Sequence, residues 1–364
     1  MGKTWLFFDC LIKSKATNVL MFAETTVREK TIQDDRQKYK ETFGIDPFEN
    51  RNVIFMCYQS GNKQTIRSLF PKGKIFVFND EAHEMVSPSR WKIITMNDWK
   101  GIYFLGVSAT IDKTGIFEID GVLDTKWNFI NSFAPVVFEY NVDSAQVDGT
   151  TRHLDVITYL HQIDKVNKNV LTGTKDKKWF TTEVVQLDYL TRALGKAMWL
   201  PPSLNKSKTI QFLARNRMAF IHSLPSKIEA CKHLLSILPG RTLVFAYDSK
   251  TLIALGIPAI VAENKNMDRD LDDFMNFRIN QIGSNKILLQ GANLPKVDNI
   301  VYFAYDSKEG KAKQKAGRAR GDLNVGKIIV FKTVGTQEEK WYESMIQPLL
   351  VFPQKEVTKI EDCI

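Results

Sequence analysis

The sequence has few cysteines and no long apolar run, and both absences limit the classes of protein it can encode. The four cysteines stand far apart without a Cys-x-x-Cys pair, which argues against a disulfide framework and a zinc site. The apolar run Trp5–Ile12 is interrupted by Asp9 and lacks a signal-peptide cleavage pattern. No stretch is long enough to cross a bilayer. We therefore expect a cytoplasmic protein without a membrane partner.

Acidic residues are outnumbered by basic ones. The 364 residues contain 50 Lys and Arg against 41 Asp and Glu, a formal net charge of +9. Such a surplus suits a polyanionic partner, because Lys and Arg that neutralise phosphates release counterions. The 44% hydrophobic and 25% charged residues are typical of a folded chain. The length exceeds what one hydrophobic core usually supports, so we expect two domains.

Short apolar runs alternate with amphipathic segments, which predicts an α/β fold with parallel sheets flanked by helices. The alternation weakens between two such series, so we predict a first domain over 1–135, an irregular insert over 136–215 and a second domain over 216–364. The predicted strands are Val19–Ala23, Asn52–Met56, Ile75–Phe78, Gly101–Gly106, Thr242–Phe245, Lys286–Leu289, Asn299–Phe303 and Lys327–Phe331.

An Asp-Glu-Ala-His segment follows the predicted strand Ile75–Phe78. Ligands of open α/β sheets bind at the carboxyl ends of strands. Asp80 suits a Mg²⁺ ion, which prefers carboxylate and phosphate oxygens. Glu81 suits the orientation and deprotonation of an attacking water. The simpler interpretation is an acidic turn in which Asp caps a helix.

A second polar motif, Ser108-Ala109-Thr110, follows the predicted strand Gly101–Gly106. Alone it is most often a helix cap. Both motifs are expected at one edge of the sheet. Hydroxyl groups at this edge can connect a bound nucleotide to a groove that binds nucleic acid. Its position after the Asp-Glu-Ala-His segment favours a functional role over a helix cap.

Together these segments resemble motifs II and III of superfamily 2 helicases, and the remaining motifs follow in the family's order. Arg241–Phe245 looks like motif IV, Gln290–Pro295 like motif V and Gln314–Arg320 like motif VI. Upstream, Val19–Thr26 resembles motif Ia, and Cys57–Ser60 is similar to the Tyr-Gln-Ser element of many relatives. The resemblance implies two RecA-like domains, and its pattern is closest to compact phage-type DEAH helicases.

The resemblance assigns roles to residues in both domains. Gln314, Arg318 and Arg320 would act on the transferred phosphoryl group, with arginines stabilising its developing charge. Gly291 and His83 would contact the nucleotide. The alternative for the basic segment 311–320 is a solvated phosphate-binding patch. The implied nucleic-acid contacts are Thr25, Thr26, Ser60, Ser108, Thr110 and Asn293.

The N-terminal Gly2-Lys3-Thr4 resembles the end of a Walker A loop. Lys3 would reach the phosphates of ATP, and Thr4 with Asp80 would hold Mg²⁺. The first glycine and the preceding strand of that motif have no counterpart. We therefore expect Met1 to be an internal methionine of a longer helicase, and an upstream polypeptide to complete the first domain. A chance Gly-Lys-Thr is the alternative.

The resemblance implies an ATP-dependent helicase or translocase on nucleic acid, with DNA favoured over RNA, located in the host cytoplasm if phage-encoded. Motif V begins with Gln290 where relatives often carry an acidic residue, and Gly321 stands where motif VI usually ends in Arg. The incomplete Walker A motif and the altered motif VI favour the alternative, a catalytically impaired nucleic-acid-binding fragment. A motor subunit of a restriction or remodelling assembly ranks last, because no nuclease carboxylate cluster is present.

Overall fold

The chain forms two compact units, which are described separately. The first comprises residues 1–140 with 289–293, and the second comprises 141–288 with 294–364. A computed structural model describes residues 2–22, 26–61, 63–108, 111, 113, 115–139, 153–173, 177–201, 206–261, 263–285, 294, 297–305 and 325–364. No helix within these ranges is long and apolar enough to span a membrane.

The first unit is built on a four-stranded parallel sheet with the order β2-β1-β3-β4. Its strands are β1 (Asn18–Phe22), β2 (Asn52–Met56), β3 (Ile75–Asp80) and β4 (Ile102–Val107). Its helices are α1 (Gly2–Ser14), α2 (Thr26–Phe43), α3 (Tyr58–Gly61), α4 (Ile66–Leu69), α5 (Pro88–Thr95) and α6 (Lys126–Phe133). A short antiparallel ribbon of β5 (Ile116–Ile119) and β6 (Val122–Thr125) precedes α6.

Both faces of this sheet are covered, which explains its nearly continuous apolar strands. On one face, α1 buries Phe7 and Phe8, and the Phe7 ring stacks on Phe78 of β3 with 4.2 Å between centroids. On the other face, α5 contributes Trp91 and Ile93 to a second core cluster. The four strands predicted in this region are confirmed within two residues at their ends.

The second unit contains a seven-stranded sheet in which all neighbouring strands are parallel. The order is β11-β12-β10-β13-β14-β7-β15. The strands are β7 (His153–His161), β10 (Thr242–Phe245), β11 (Ala259–Ile260), β12 (Gln281–Ser284), β13 (Asn299–Tyr302), β14 (Val325–Thr333) and β15 (Gln354–Val357). Two parallel sheets flanked by helices confirm the predicted α/β class.

The helices of the second unit fall into two groups. Those that accompany the sheet are α9 (Pro225–Ile237), α10 (Ser249–Leu255), α11 (Met267–Met275) and α12 (Glu338–Ile346). Between β7 and α9 lie the antiparallel ribbon β8 (Val170–Gly173) and β9 (Lys178–Thr181), followed by α7 (Glu183–Met198) and α8 (Lys206–His222). We call residues 162–222, which contain this ribbon and helix pair, the basic insert.

Part of the predicted insert 136–215 belongs to the sheet of the second unit. His153–His161, which the sequence placed inside the insert 136–215, is a strand that pairs with β14 and β15. Its alternating pattern was obscured by the polar residues around it, whereas pairing on both sides buries Val156 and Ile157. The predicted strand Lys286–Leu289 lies outside the described residues, and the strand in this region is Gln281–Ser284.

Candidate active site

The first turn of α1 carries the predicted phosphate-binding residues. The helix begins at Gly2, and Lys3 and Thr4 therefore lie where backbone N–H groups and the helix dipole favour an anion. Thr4 is buried. The Lys3 ammonium donates a hydrogen bond to Glu81 Oε1 at 3.0 Å and stands 4.0 Å from Asp80 Oδ1. The sequence-predicted lysine and acid pair are thus brought together.

The acid pair lies at the carboxyl end of β3. Asp80 is the last residue of the strand and is buried. Glu81 has left-handed backbone torsions (φ 59°, ψ 52°) and leads into a short 3₁₀ helix, Ala82–Met85. This conformation is disfavoured for a residue with a side chain, and such residues concentrate at functional sites. The turn directs the Glu81 carboxylate toward Lys3.

His83 joins the acid pair to the end of the neighbouring strand. Its Nδ1 lies 2.7 Å from the Ser108 hydroxyl, immediately after β4, and 3.4 Å from Glu81 Oε2. Gly106 of β4 makes this approach possible, because a Cβ there would stand 2.9 Å from Cβ of Ala82. The predicted motifs II and III are therefore in direct contact.

Glu84 and Arg90 extend this arrangement. His83 Nε2 is 3.2 Å from Glu84 Oε1, and the Arg90 guanidinium donates to Glu84 Oε2 at 2.8 Å. We call Lys3, Asp80, Glu81, His83 and Glu84 the acid cluster. It is partly open, since the side chains of Lys3 and Glu81 retain 37% and 32% of their accessible surface.

The charges in the acid cluster alter one another's protonation. Burial alone would raise the pKa of Glu81, but the hydrogen bond from His83 and the nearby Lys3 ammonium lower it to about 2. The hydrogen bond with His83 lowers the pKa of Glu84 to about 2 despite its burial. Burial opposes the charged imidazole of His83, yet Glu81 and Glu84 together raise its pKa above the ordinary value. Both glutamates are therefore ionised at neutral pH.

Tyr58 supports the acid cluster from the segment after β2. Its buried hydroxyl donates to Asn79 Oδ1 and lies 3.3 Å from the Asp80 carbonyl oxygen. The Arg90 guanidinium lies 4.8 Å from the centroid of the Tyr58 ring. Tyr58 begins α3, which also carries Ser60, a predicted nucleic-acid contact. The segment with Ser60 is thereby linked to the strand that carries Asp80.

The structure brings together five of the predicted site residues, Lys3, Asp80, Glu81, His83 and Ser108, with Gly2 at the start of α1. Ser60 is exposed on α3, and its hydroxyl lies 3.3 Å from Cys57 Sγ. Thr26 begins α2, and its side chain is outside the described part of the chain. Thr4 is buried in the first turn of α1. The remaining predicted site residues fall outside the described part, namely Thr25, Thr110, Gly291, Asn293, Gln314, Arg318 and Arg320.

Sequence reasoning missed Glu84, Arg90 and the hydroxyl of Tyr58. Glu84 directly follows the Asp-Glu-Ala-His segment, so its position in the 3₁₀ helix was a usable signal. Arg90 lies on the next helix, and only the fold places it over the Tyr58 ring. Glu84 contacts His83 within the acid cluster, Arg90 contacts Glu84, and the Tyr58 hydroxyl contacts Asn79.

The first part of the chain matches a known protein family. Residues 1–113, which include the acid cluster, match the family model described as "Type III restriction enzyme, res subunit". A restriction enzyme assembly is the kind of protein that the sequence favoured least among the three hypotheses above. No curated protein matches the chain.

Solved structures resemble the whole chain. S. cerevisiae Dbp5 bound to RNA and ADP BeF3 is similar with a TM-score of 0.56 and 14% identity, over 99% of this chain and 83% of that one. The Pyrococcus furiosus Hef helicase domain is similar with a TM-score of 0.53 and 15% identity, over 95% of this chain and 93% of that one. At these identities the similarity concerns the fold alone, an α/β architecture of RecA-like domains that this chain shares with both structures.

Proposed function

We propose that this chain is an ATP-dependent helicase or translocase of the DEAH type that acts on nucleic acid. The observation that carries the proposal is the contact of Lys3 with Glu81 beside Asp80, at the end of a parallel strand and the start of a helix. Structures similar to this chain include one described as bound to RNA and ADP BeF3, which supports nucleotide and nucleic-acid binding.

The residues of the first unit fit ATP and Mg²⁺. Lys3, at the start of α1, would hold the phosphates. The Thr4 hydroxyl and the Asp80 carboxylate are oxygen donors of the kind Mg²⁺ prefers. The ion would neutralise charge on the phosphates. Glu81, ionised at neutral pH, would accept a proton from water, and Ser108 would hold His83 in place.

Lys3 serves as the ligand-sensitive part of this arrangement. Its ammonium donates a hydrogen bond to Glu81 Oε1. A phosphate that draws Lys3 away would free this carboxylate as a base, with His83 Nδ1 still 3.4 Å from its Oε2. Nucleotide binding and activation of Glu81 would then occur together.

The finer features of the proposal rest on the sequence motifs. We propose that the chain is of the compact phage type and prefers DNA to RNA as its track. We also propose that Gln314, Arg318, Arg320 and Gly291 complete the ATP site from motifs V and VI. Thr25, Thr26, Ser60, Thr110 and Asn293 would contact the sugar-phosphate backbone, which carries no sequence information.

A second candidate is a nucleic-acid-binding chain with impaired hydrolysis, which an upstream polypeptide would complete. One observation favours it. Among the described residues, β4 pairs with β3 on one side and with no strand on the other. An open parallel edge next to the acid cluster would accept one more strand.

The test is nucleic-acid-stimulated phosphate release by the 364-residue chain, by Glu81→Gln and by Glu49→Gln as an exposed control. We expect Glu81→Gln to reduce turnover about 10²- to 10⁴-fold, the usual contribution of a general base, and the control to change nothing. Unchanged turnover in Glu81→Gln would refute the assigned role. Salt-dependent DNA or RNA binding without turnover would support the second candidate, and activity restored by an upstream extension would support its need for completion.

A further inference from the structure

The positive charge of the chain is concentrated in the basic insert. Residues 162–222 contain 11 Lys and Arg against 4 Asp and Glu, a difference of +7 within a chain whose total is +9. One of the four acids, Glu183, is fully buried and accepts hydrogen bonds from Ser226, so it contributes little to the surface. The insert therefore presents a strongly basic surface, and a polyanion is the complementary partner.

The helix α7 carries an exposed aromatic ring among basic residues. Val185, Tyr189, Arg192 and Lys196 follow one another at spacings of four, three and four residues, which places them on one helix face. They border an open groove of about 480 Å³. Tyr189 is 64% exposed. Trp199, directly after the helix, is 91% exposed.

The helix α8, which packs against α7, repeats the pattern. Lys208, Phe212 and Arg215 have spacings of four and three residues, so they also share one face. Phe212 is 62% exposed, and both basic side chains lie in exposed residues. Two consecutive helices thus each present a solvent-exposed ring with a basic residue nearby.

The β8–β9 ribbon adds two more exposed rings. Phe180 is paired with Leu171, so these side chains share one face of the ribbon, and Trp179 lies on the other face. Trp179, Phe180 and Leu171 are all more than half exposed. A two-stranded ribbon has little stability of its own, and solvent-exposed apolar side chains on both faces are typical of an interaction surface.

We propose that the basic insert is a binding surface for single-stranded nucleic acid, separate from the helicase motifs. The exposed rings of Trp179, Tyr189 and Trp199 would stack with unpaired bases, and Lys and Arg side chains beside them would contact phosphates. An apolar protein partner would have to desolvate these charges, whereas a polyanion gains from them. Duplex alone fits less well, because its bases are already stacked. The inference rests on the proposed function in one respect, that the track is nucleic acid.

The test measures the binding of the full chain without nucleotide to labelled 20-nucleotide dT and U strands, and to a duplex of equal length, by fluorescence anisotropy. Tyr189→Leu, Trp179→Leu and Trp199→Leu are each expected to weaken single-strand binding about 5- to 150-fold, the effect of losing one stacked base. Tyr189→Phe and Trp199→Phe are expected to retain most of it. The exposed Phe43→Leu, in the first unit, is the matched aromatic control.

The charge contribution has its own readout. Lys196→Gln is expected to reduce the slope of log K against log salt by about 0.7, the value for one phosphate contact on a single strand. Lys72→Gln, an exposed lysine before β3, is the matched control. Quenching of tryptophan fluorescence by dT is expected in the parent chain and reduced in Trp199→Phe, because stacking brings base and indole into contact.

Three outcomes would overturn the inference. If all aromatic variants bind single strands with the same affinity as the parent chain, stacking is excluded. If the chain prefers duplex and binds it through the same lysines, the surface is a duplex-binding surface. If the chain self-associates and the same leucine variants abolish this, the surface is a protein contact. The readouts separate it from the proposed function. If nucleic-acid binding depends on the basic insert but the chain does not hydrolyse ATP, the binding surface is supported and the proposed helicase activity is refuted. If nucleic acid stimulates ATP turnover but its binding does not depend on the insert, the helicase activity is supported and the binding surface is refuted.

Discussion

The two units each contain a Lys–Glu–His group at the carboxyl end of a parallel sheet, and the groups differ in burial. In the second unit, Glu338 accepts from Lys227 at 2.7 Å and lies 3.5 Å from His222 Nδ1. Their side chains are at most 1% exposed. In the acid cluster of the first unit, the equivalent distances of 3.0 and 3.4 Å are similar, but lysine and glutamate are about one-third exposed.

Burial decides what each group can do. The pKa of Glu338 is lowered to about 2 because the charge of Lys227 and the hydrogen bond with His222 outweigh the effect of its burial. Glu338 also accepts from the backbone N–H of Thr333, and the Lys227 ammonium lies 4.9 Å from the Phe303 ring. A group enclosed in this way has no room for a ligand and serves the packing of the second unit. The open acid cluster leaves Lys3 and Glu81 accessible, as the proposed exchange of their contact for a phosphate requires.

The largest expected effect on stability comes from Glu338→Gln. The substitution leaves the Lys227 ammonium buried without its carboxylate partner, and breaking a buried ion pair costs about 3–5 kcal/mol. We expect the free energy of unfolding of the second unit to fall by this amount in urea denaturation. Loss of folding would be checked by replacing both partners, Lys227→Met with Glu338→Gln, which removes the unpaired charge and should recover part of the stability.

The matched substitution in the open cluster is Glu81→Gln, which should change stability by less than about 1 kcal/mol, since exposed ion pairs contribute little. Its Lys3 contact is solvated, and the same change is expected to abolish most turnover. If Glu81→Gln were the more destabilising of the two, the contrast between a structural and a functional group would be wrong.

The histidines of the two units are expected to respond to pH with opposite signs. The pKa of His83 is raised, so its contribution to stability is present below the ordinary value of 6.5 and is lost as pH rises through the folded-state pKa. Burial and the nearby Lys227 lower the pKa of His161 to about 4. The unfolded chain then binds more protons between pH 6.5 and 4, and acidification destabilises the second unit by about 1.4 kcal/mol per pH unit.

Hydrogen exchange measured by mass spectrometry would test this difference, because it reports the two units separately. Protection of β7 and β14 should fall from pH 6.5 to 4 after correction for intrinsic exchange, and His161→Gln should flatten that slope. Protection of β3 should not fall over the range in which His83 becomes charged. Parallel slopes in both units would contradict the assignment. His161 contacts the Ser226 hydroxyl in the folded chain, since its Nε2 lies 3.0 Å from Ser226 Oγ.

Most of the fold was predictable from sequence because buried parallel strands are continuous apolar runs. The predicted strands Ile75–Phe78 and Thr242–Phe245 correspond to the completely buried strands Ile75–Asp80 and Thr242–Phe245. β7 and β15 were missed for a physical reason. The polar and charged side chains of β15, Gln354, Lys355 and Glu356, are exposed at the edge of the sheet, so its sequence lacks the apolar pattern.

The centre of the site was predictable, and its supports were not. Asp80, Glu81, His83 and Ser108 belong to short motifs with a fixed chemistry at strand ends. The Arg90–Tyr58 contact joins residues 32 positions apart, and no local pattern encodes it. The same holds for the group around Glu338, whose lysine partner is 111 positions away.

A further substitution tests whether Tyr58 holds the acid cluster in place through Asn79. Tyr58→Phe keeps the ring that stacks on Phe22, with 5.7 Å between centroids, and removes only the hydroxyl that donates to Asn79. A buried acceptor left without its donor costs about 1–3 kcal/mol. We expect urea denaturation to show this loss, and Tyr103→Phe, an exposed tyrosine on the β4 edge, to stay within about 0.5 kcal/mol of the parent.

The turnover of Tyr58→Phe separates two roles for the hydroxyl. Asn79 immediately precedes Asp80, so loosening its side chain should displace the Asp80 carboxylate and raise the Mg²⁺ concentration needed for half-maximal turnover. Stability lost with no change in that concentration would make Tyr58 a packing residue alone. A shifted magnesium requirement in a chain that remains folded would make it a positioning residue, because an effect on packing alone leaves metal affinity unchanged.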